Sequence, residues 1–279
     1  MVRYYFGDVP ISRLAVWSRR LALFALVITI LSVMIVRTGF LEIVPALATF
    51  AAALIFAALA VLLALAAFVA IWQQGLGGLR FALAGLFIGL LLLAYPGYLG
   101  YRAYKLPPIS DITTDPADPP KFAVTARLRP RGTNAYPGAE TARIQNQAYP
   151  GVEPLEVDIP PKTAHELAYA IARRRKWHVV DSRPPIAGRR AGVIEAVART
   201  FVMGFRDDVV IRISAAGKGS RIDMRSASRY GQHDLGTNAA RVQSFLTEFD
   251  ETVATLPPAP IKPEPAKKPQ PRGRQPARR

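Results

Sequence analysis

Ile43 to Trp72 is a run of 30 residues without a single charge. A helix needs about 20 apolar residues to cross a bilayer, so this run is long enough to span it with some tilt or protrusion. Two further apolar runs flank it, Leu21 to Val36 and Phe81 to Tyr98. The first extends to Leu41 if Arg37 bends its long side chain toward the headgroups. Lipid offers no partner to a bare backbone N–H or C=O, so each crossing has to be helical. Residues 1–105 are therefore expected to form a three-helix transmembrane region, with the lipid bilayer as its first partner.

Arg3, Arg13, Arg19 and Arg20 precede the first run, whereas the next connection sets Arg37 against Glu42. Basic residues stay on the cytoplasmic side. That rule puts the N-terminus in the cytoplasm and, after three crossings, everything behind Lys105 outside. The expectation is a multi-pass protein of a bacterial inner membrane with a periplasmic C-terminal domain. Val33 to Arg37 lacks a small-x-small cleavage site, so the first run reads as a retained anchor. No ionisable residue lies at the centre of a run, which disfavours a transporter. Gly85-Leu86-Phe87-Ile88-Gly89 has the small-xxx-small spacing that lets helices approach closely, here toward the Ala-rich second run. Tyr95, Tyr98, Tyr101 and Tyr104 read as an interfacial aromatic belt.

The formal net charge of +16 is unevenly spread. Residues 1–105 hold 8 basic and 2 acidic side chains, 106–256 hold 21 and 17, and 257–279 hold 7 and 1. The excess lies beside the apolar runs and in the tail, which argues against a nucleic-acid face and makes anionic lipid the natural counterion. Zero cysteines exclude disulfides, thiol catalysis and thiolate metal ligands. Three histidines without tight His/carboxylate spacing point to no metal site and no cofactor.

Residues 106–154 are rich in Pro, Asp, Thr and Gly without a sustained period and read as an extended linker or wrap. A compact domain is expected over 155–256. Leu155-Glu156-Val157-Asp158-Ile159 alternates as a strand, and Thr163-Ala164-His165-Glu166 reads as a capping box opening a helix to about Lys176, with His165 on its surface. Trp177 to Val180, Gly192 to Val202, Val209 to Ser214 and Arg221 to Ser228 follow as strands. Thr237 or Gly236 then caps a helix whose Val242, Phe245, Leu246, Phe249 and Val253 recur at helical spacing. The fold class is an α+β two-layer domain, an antiparallel sheet with two helices on one face. Hydrophobic matching across the Ala215 to Gly219 turn sets Ile213 opposite Ile222, Ile211 opposite Met224, Val209 opposite Ser226, and Asp208 opposite Ala227. Residues 257–279, Pro-rich and basic, read as a disordered tail.

The densest polar stretch is Arg225 to Arg241. Arg225, Arg229 and Arg241, with Thr237 and Asn238 at the start of the last helix, form a candidate site for an anionic lipid, glycan or protein partner. Alternation sends Ser226 and Ser228 inward and Arg225 and Arg229 outward, diagonal to Asp208, so an internal ion-pair ladder is an equal reading. A hydrolase using Ser226 or Ser228 with His233 and Asp234 is the alternative function. Inward serines, adjacent His233 and Asp234, and no Gly-x-Ser-x-Gly elbow weigh against it.

Phe205-Arg206-Asp207-Asp208-Val209-Val210-Ile211-Arg212, then Arg225 to Gly231 and Asp234 to Arg241, resemble the domain-of-unknown-function 1499 family. The resemblance covers roughly Asp111 to Val253. It implies no established activity, and hydrophobic helices ahead of the domain are common among similar members. Many members carry a Pro-Asn-Cys segment; here Arg129-Pro130-Arg131-Gly132-Thr133-Asn134-Ala135 lacks the thiol, so a cysteine-dependent role does not carry over.

Overall fold

The computed structural model describes residues 9–39, 43–129, 137–186, 188 and 190–256. The basic tail 257–279, Arg3, Glu42 and Pro130 to Ala135 lie outside them. Three helices come first, α1 (Arg13–Thr38), α2 (Ile43–Gln74) and α3 (Leu79–Lys105). All three are long and apolar enough to cross a membrane. Gly39, in the left-handed conformation, closes α1 by donating its N–H to the carbonyls of Ile35 and Val36. At the opposite end, Ser12 N–H donates to the Gly77 carbonyl at 3.0 Å, tying the start of α1 to the α2–α3 turn.

The two glycines of the small-xxx-small segment touch different helices. A Cβ on Gly85 would stand 1.9 Å from Ser18 Oγ of α1, and one on Gly89 would stand 2.6 Å from Val61 Cγ2 of α2. Ser18 Oγ also donates to the Ala60 carbonyl at 2.9 Å. The spacing therefore seats α3 in the groove between α1 and α2, rather than against α2 alone.

Behind the helices lies an antiparallel sheet with the order β1 (Asp111–Thr113), β6 (Gly219–Ser228), β5 (Arg206–Ala216), β4 (Gly192–Arg199), β3 (His178–Arg183). β2 (Leu155–Val157) pairs with the other half of the β6 edge. Ile213 faces Ile222, Ile211 faces Met224, Val209 faces Ser226 and Asp208 faces Ala227, the register that hydrophobic matching requires. Helices α5 (Pro161–Arg174) and α6 (Thr237–Ala254) cover one face. Their apolar stripes meet the sheet in a core that includes Ile171, Trp177, Ile194, Ile211, Met224 and Phe245, with Trp177 stacked on Phe245 at 5.5 Å. This is the two-layer α+β arrangement.

Three local expectations change. The stretch 106–154 is not only a wrap, because Asp111–Thr113 joins the sheet and α4 (Ala139–Ala148) follows a 3-10 turn at Thr125–Leu128. The carboxamide of Gln145 accepts from Thr113 N at 3.0 Å and donates to Thr113 O at 2.8 Å, closing the free edge of β1 as a further strand would. Second, α5 starts at Pro161, whose fixed φ and missing N–H suit a first helical position, so Thr163 and Glu166 make no capping box. Third, His165 is buried rather than on the surface, 3.4 Å from Ser182 Oγ, and burial lowers its imidazole pKa.

Candidate functional site

On the sheet face away from α5 and α6, alternation presents Asp208, Arg225, Arg229 and Glu195. Arg225 makes a two-pronged pair with Asp111 of β1, Nε to Oδ1 at 2.8 Å and Nη2 to Oδ2 at 2.6 Å. Arg229 donates twice to Asp208 Oδ1, at 2.9 and 2.7 Å, while Arg129 Nε reaches Asp208 Oδ2 at 2.7 Å. The Phe122 ring lies 4.5 Å from the Arg225 guanidinium and 4.8 Å from that of Arg129. Glu195, fully buried on β4, accepts from the backbone N–H groups of Ala123, Val124 and Thr125 and from Thr125 Oγ1, all within 3.1 Å. Residues 114–129 therefore lie over this face as a cover pinned by buried charges. At its upper edge Arg212 and Arg221 share Asp115 and Asp223.

Thr237, Asn238 and Arg241 stand on the other face, with α6. Arg241 Nη2 donates to Asp207 Oδ2 at 2.6 Å and Nη1 to Ser226 Oγ at 2.8 Å and to Asn238 Oδ1. Ser226 Oγ donates to Asn238 Oδ1 at 2.7 Å, and Asn238 Nδ2 donates to Ser228 Oγ at 3.0 Å. Asp234 accepts the N–H groups of Gly236 and Asn238 at 2.8 and 2.7 Å, filling the helix N-terminus with a carboxylate of this chain. Burial pushes the Asp207 and Asp234 carboxyls up, against the pull of Arg241 on Asp207 and of the two amides on Asp234. The sheet thus divides the five sequence-nominated residues into two groups. His233 joins neither serine: its Nδ1 accepts from Leu235 N at 3.0 Å, and its Nε2 lies 3.2 Å from the Ala103 carbonyl of α3.

That last contact leads to the seam between helices and sheet domain. A cleft of about 290 Å³ opens there, with Leu47 of α2, Tyr95 and Leu99 of α3, and Met203 and Phe205 of the β4–β5 loop on its apolar side and Asp207, Ser228, His233, Asp234 and Thr237 on its polar side. Arg206, the first residue of β5, is exposed at its wall. Arg102 and Arg37 stand nearby: Arg102 Nη2 would lie 3.0 Å from a Cβ on Gly236, and Arg37 Cγ 3.1 Å from one on Gly204. Among the described residues, no carboxylate lies within ion-pair distance of Arg37, Arg102 or Arg206. The seam thus sets three arginines without a paired carboxylate beside an apolar floor, while Asp207 and Asp234 on its polar wall are held by Arg241 and by two backbone amides.

A family model described as "Protein of unknown function (DUF1499)" matches residues 111–249. Through these residues the chain belongs to that family. The DUF1499 match begins at the first residue of β1, so it takes in the cover as well as the sheet. Among solved structures, CalU16 from Micromonospora echinospora is similar, at 14% identity over 36% of this chain and 78% of its own, with a TM-score of 0.20. At that score the likeness carries no argument. No curated protein matches the chain.

Within the DUF1499 domain, sequence reasoning overlooked Asp111, Glu195 and Arg206. Glu195 stands in Val193-Ile194-Glu195-Ala196-Val197, where a lone acid in an apolar strand is itself a signal, since such a group is buried only when it is paired. Arg206 follows Phe201-Val202-Met203-Gly204-Phe205, an apolar run at a place where hairpin loops are usually polar.

Proposed function

We propose that the protein is a membrane-anchored, non-enzymatic domain that binds the headgroup of an anionic lipid in the seam between the DUF1499 domain and the ends of its helices. The observation that carries this reading is the positive charge of Arg37, Arg102 and Arg206 around a cleft whose floor is span-facing Leu47, Tyr95 and Leu99. A lipid is the ligand that brings a phosphate and an acyl chain to that place together. Arg225, Arg229 and Arg241 hold Asp111, Asp208 and Asp207, so their charge is spent inside the fold; of the five residues nominated from sequence, Thr237 alone lines the cleft. In this reading the N-terminus faces the cytoplasm of a bacterium and the domain faces the periplasm. A reporter fused after Glu251 is expected to behave as exported, and a cytoplasmic signal from it would refute the orientation.

The cleft brings Ser228, His233 and Asp234 together, but their hydrogen bonds lend the hydrolase alternative no support. Ser226 and Ser228 are engaged with Asn238 and Arg241, and both ring nitrogens of His233 are turned to backbone groups.

Retained lipid is the readout that tests the seam. The full chain, reconstituted in mixed phosphatidylcholine and phosphatidylglycerol and extracted gently, is expected to hold phosphatidylglycerol preferentially in native mass spectrometry. Each basic residue near an anionic lipid contributes on the order of 1 kcal/mol, so the Arg102→Ala, Arg206→Ala double variant should lose that preference by about thirtyfold. Equal retention by the two proteins, or no preference in either, counts against the proposal.

A further inference from the structure

The geometry points to a second membrane contact beside the headgroup site, resting on the same membrane-anchored reading: we infer that the β4–β5 loop, Thr200 to Phe205, is seated in the interfacial zone of the bilayer that holds the helices. Phe201 at its tip is 93% exposed. Fraying does not account for that exposure, because the loop is closed on itself. Thr200 N–H donates to the Phe205 carbonyl at 2.9 Å, Gly204 N–H to the Thr200 carbonyl at 3.1 Å, and Phe205 N–H to Thr200 Oγ1 at 2.9 Å. A single exposed ring would be ordinary, but here it tops the apolar run Phe201-Val202-Met203-Gly204-Phe205 in an ordered hairpin, and a patch of that kind suits an apolar neighbour.

The loop's height identifies that neighbour. Arg37, in the last turn of α1, donates to the carbonyls of Phe201 at 2.5 Å and Val202 at 3.0 Å, and Arg199 Nη1 donates back to the Arg37 carbonyl at 3.1 Å. Gly204, at φ 72°, lets that arginine lie against the turn, since a Cβ there would meet Arg37 Cγ at 3.1 Å. Met203 and Phe205 share the seam with Tyr95, which is ten residues before the end of α3 and so about 15 Å down the helix. The loop is therefore level with the exposed tyrosine belt of α3. Met203 and Phe205 meet the exposed apolar side chains Leu47 and Tyr95 of the helices in one cleft, and this shared apolar surface favours the bilayer as the occupant.

Charge placement agrees. Arg199 ends β4 and Arg206 begins β5, so an arginine stands at each foot of the apolar tip. Basic feet with long apolar stems and an aromatic tip form the amphipathic pattern of a segment lying at the headgroup boundary. The other end of β5 turns through Gly217 and Lys218, about 35 Å away for an 11-residue strand. One leaflet surface cannot hold both ends.

The absence of cysteine makes the test direct. Phe201→Cys in the full chain, labelled with an environment-sensitive fluorophore and reconstituted in phosphatidylcholine–phosphatidylglycerol nanodiscs, is expected to emit to the blue. Lipids carrying a nitroxide high on the acyl chain should quench it several times more than the same label at Lys218→Cys. Because the Phe201 side chain touches little, its loss should leave the melting temperature unchanged, which separates misfolding from misplacement. Water-like emission at both positions overturns the inference. Blue emission without nitroxide quenching also overturns it, by pointing to a protein cover such as a second copy.

Discussion

Replacing Asp208 with alanine is expected to cost about 3–5 kcal/mol, the penalty for stranding buried charges by removing their partner. Its carboxylate is fully buried and answers two guanidiniums, Arg229 through Oδ1 and Arg129 through Oδ2. Alanine would leave both without their counter-charge in a place that water reaches poorly. For a domain of this size the loss corresponds to a drop of about 10–20 °C in the melting temperature, read on the full chain in detergent by near-ultraviolet circular dichroism. Asp118→Ala supplies the contrast. Asp118 also pairs with an arginine, Arg212, at 2.7 Å, but it is 72% exposed, so its removal should cost no more than about 1 kcal/mol. Asp208→Ala combined with Arg229→Ala should be less damaging than the sum of the two, because the second change removes a charge that the first one strands. Equal effects for Asp208→Ala and Asp118→Ala would mean that the buried ladder is no stronger than a surface pair, and the sheet face would have to be regarded as open to solvent.

The β5–β6 register was legible because one face of each strand is apolar: a one-residue slip would turn Ile211, Ile213, Ile222 and Met224 away from the helices. The three helices were legible for the same kind of reason, since charge-free length leaves few alternatives. What escaped the sequence is specified at long range. β1 is three residues long, and Asp111, Ile112 and Thr113 are all buried, so no alternation marks it. It is fixed by Arg225, 114 residues later, and by Gln145, 32 residues later. Without β1 in view, Arg225 and Arg229 both had Asp208 as their nearest acid; β1 supplies Asp111, and the two arginines divide between the two carboxylates. The start of α5 was misplaced because a capping-box pattern and a Pro-Pro start overlapped, and the proline at the first helical position prevailed.

Glu195→Gln is expected to loosen the cover over that ladder while leaving the sheet in place. The carboxylate faces donors from Ala123, Val124 and Thr125, and the 3-10 turn Thr125–Leu128 begins there, where a negative charge suits the exposed amides. Glutamine keeps the volume but replaces one acceptor oxygen with an NH2 group aimed at those same donors. With at least one buried N–H left unsatisfied and the charge lost, the variant should be destabilised by about 3 kcal/mol. Hydrogen exchange is the sharper readout: the amides of Ala123 to Thr125 should lose their protection entirely, while the paired amides of β5 and β6 exchange faster only by the factor that the loss in global stability sets. Unchanged protection at those three amides would show that something other than Glu195 holds the cover. The same opening separates the two possible roles of Arg225 and Arg229. In the wild-type chain the cover and its carboxylates stand between them and any dissolved anion, so phosphate should leave the melting temperature unchanged. In Glu195→Gln the path to them is shorter, and this is the background in which added phosphate would first find them if they have any anion affinity to spare beyond Asp111 and Asp208.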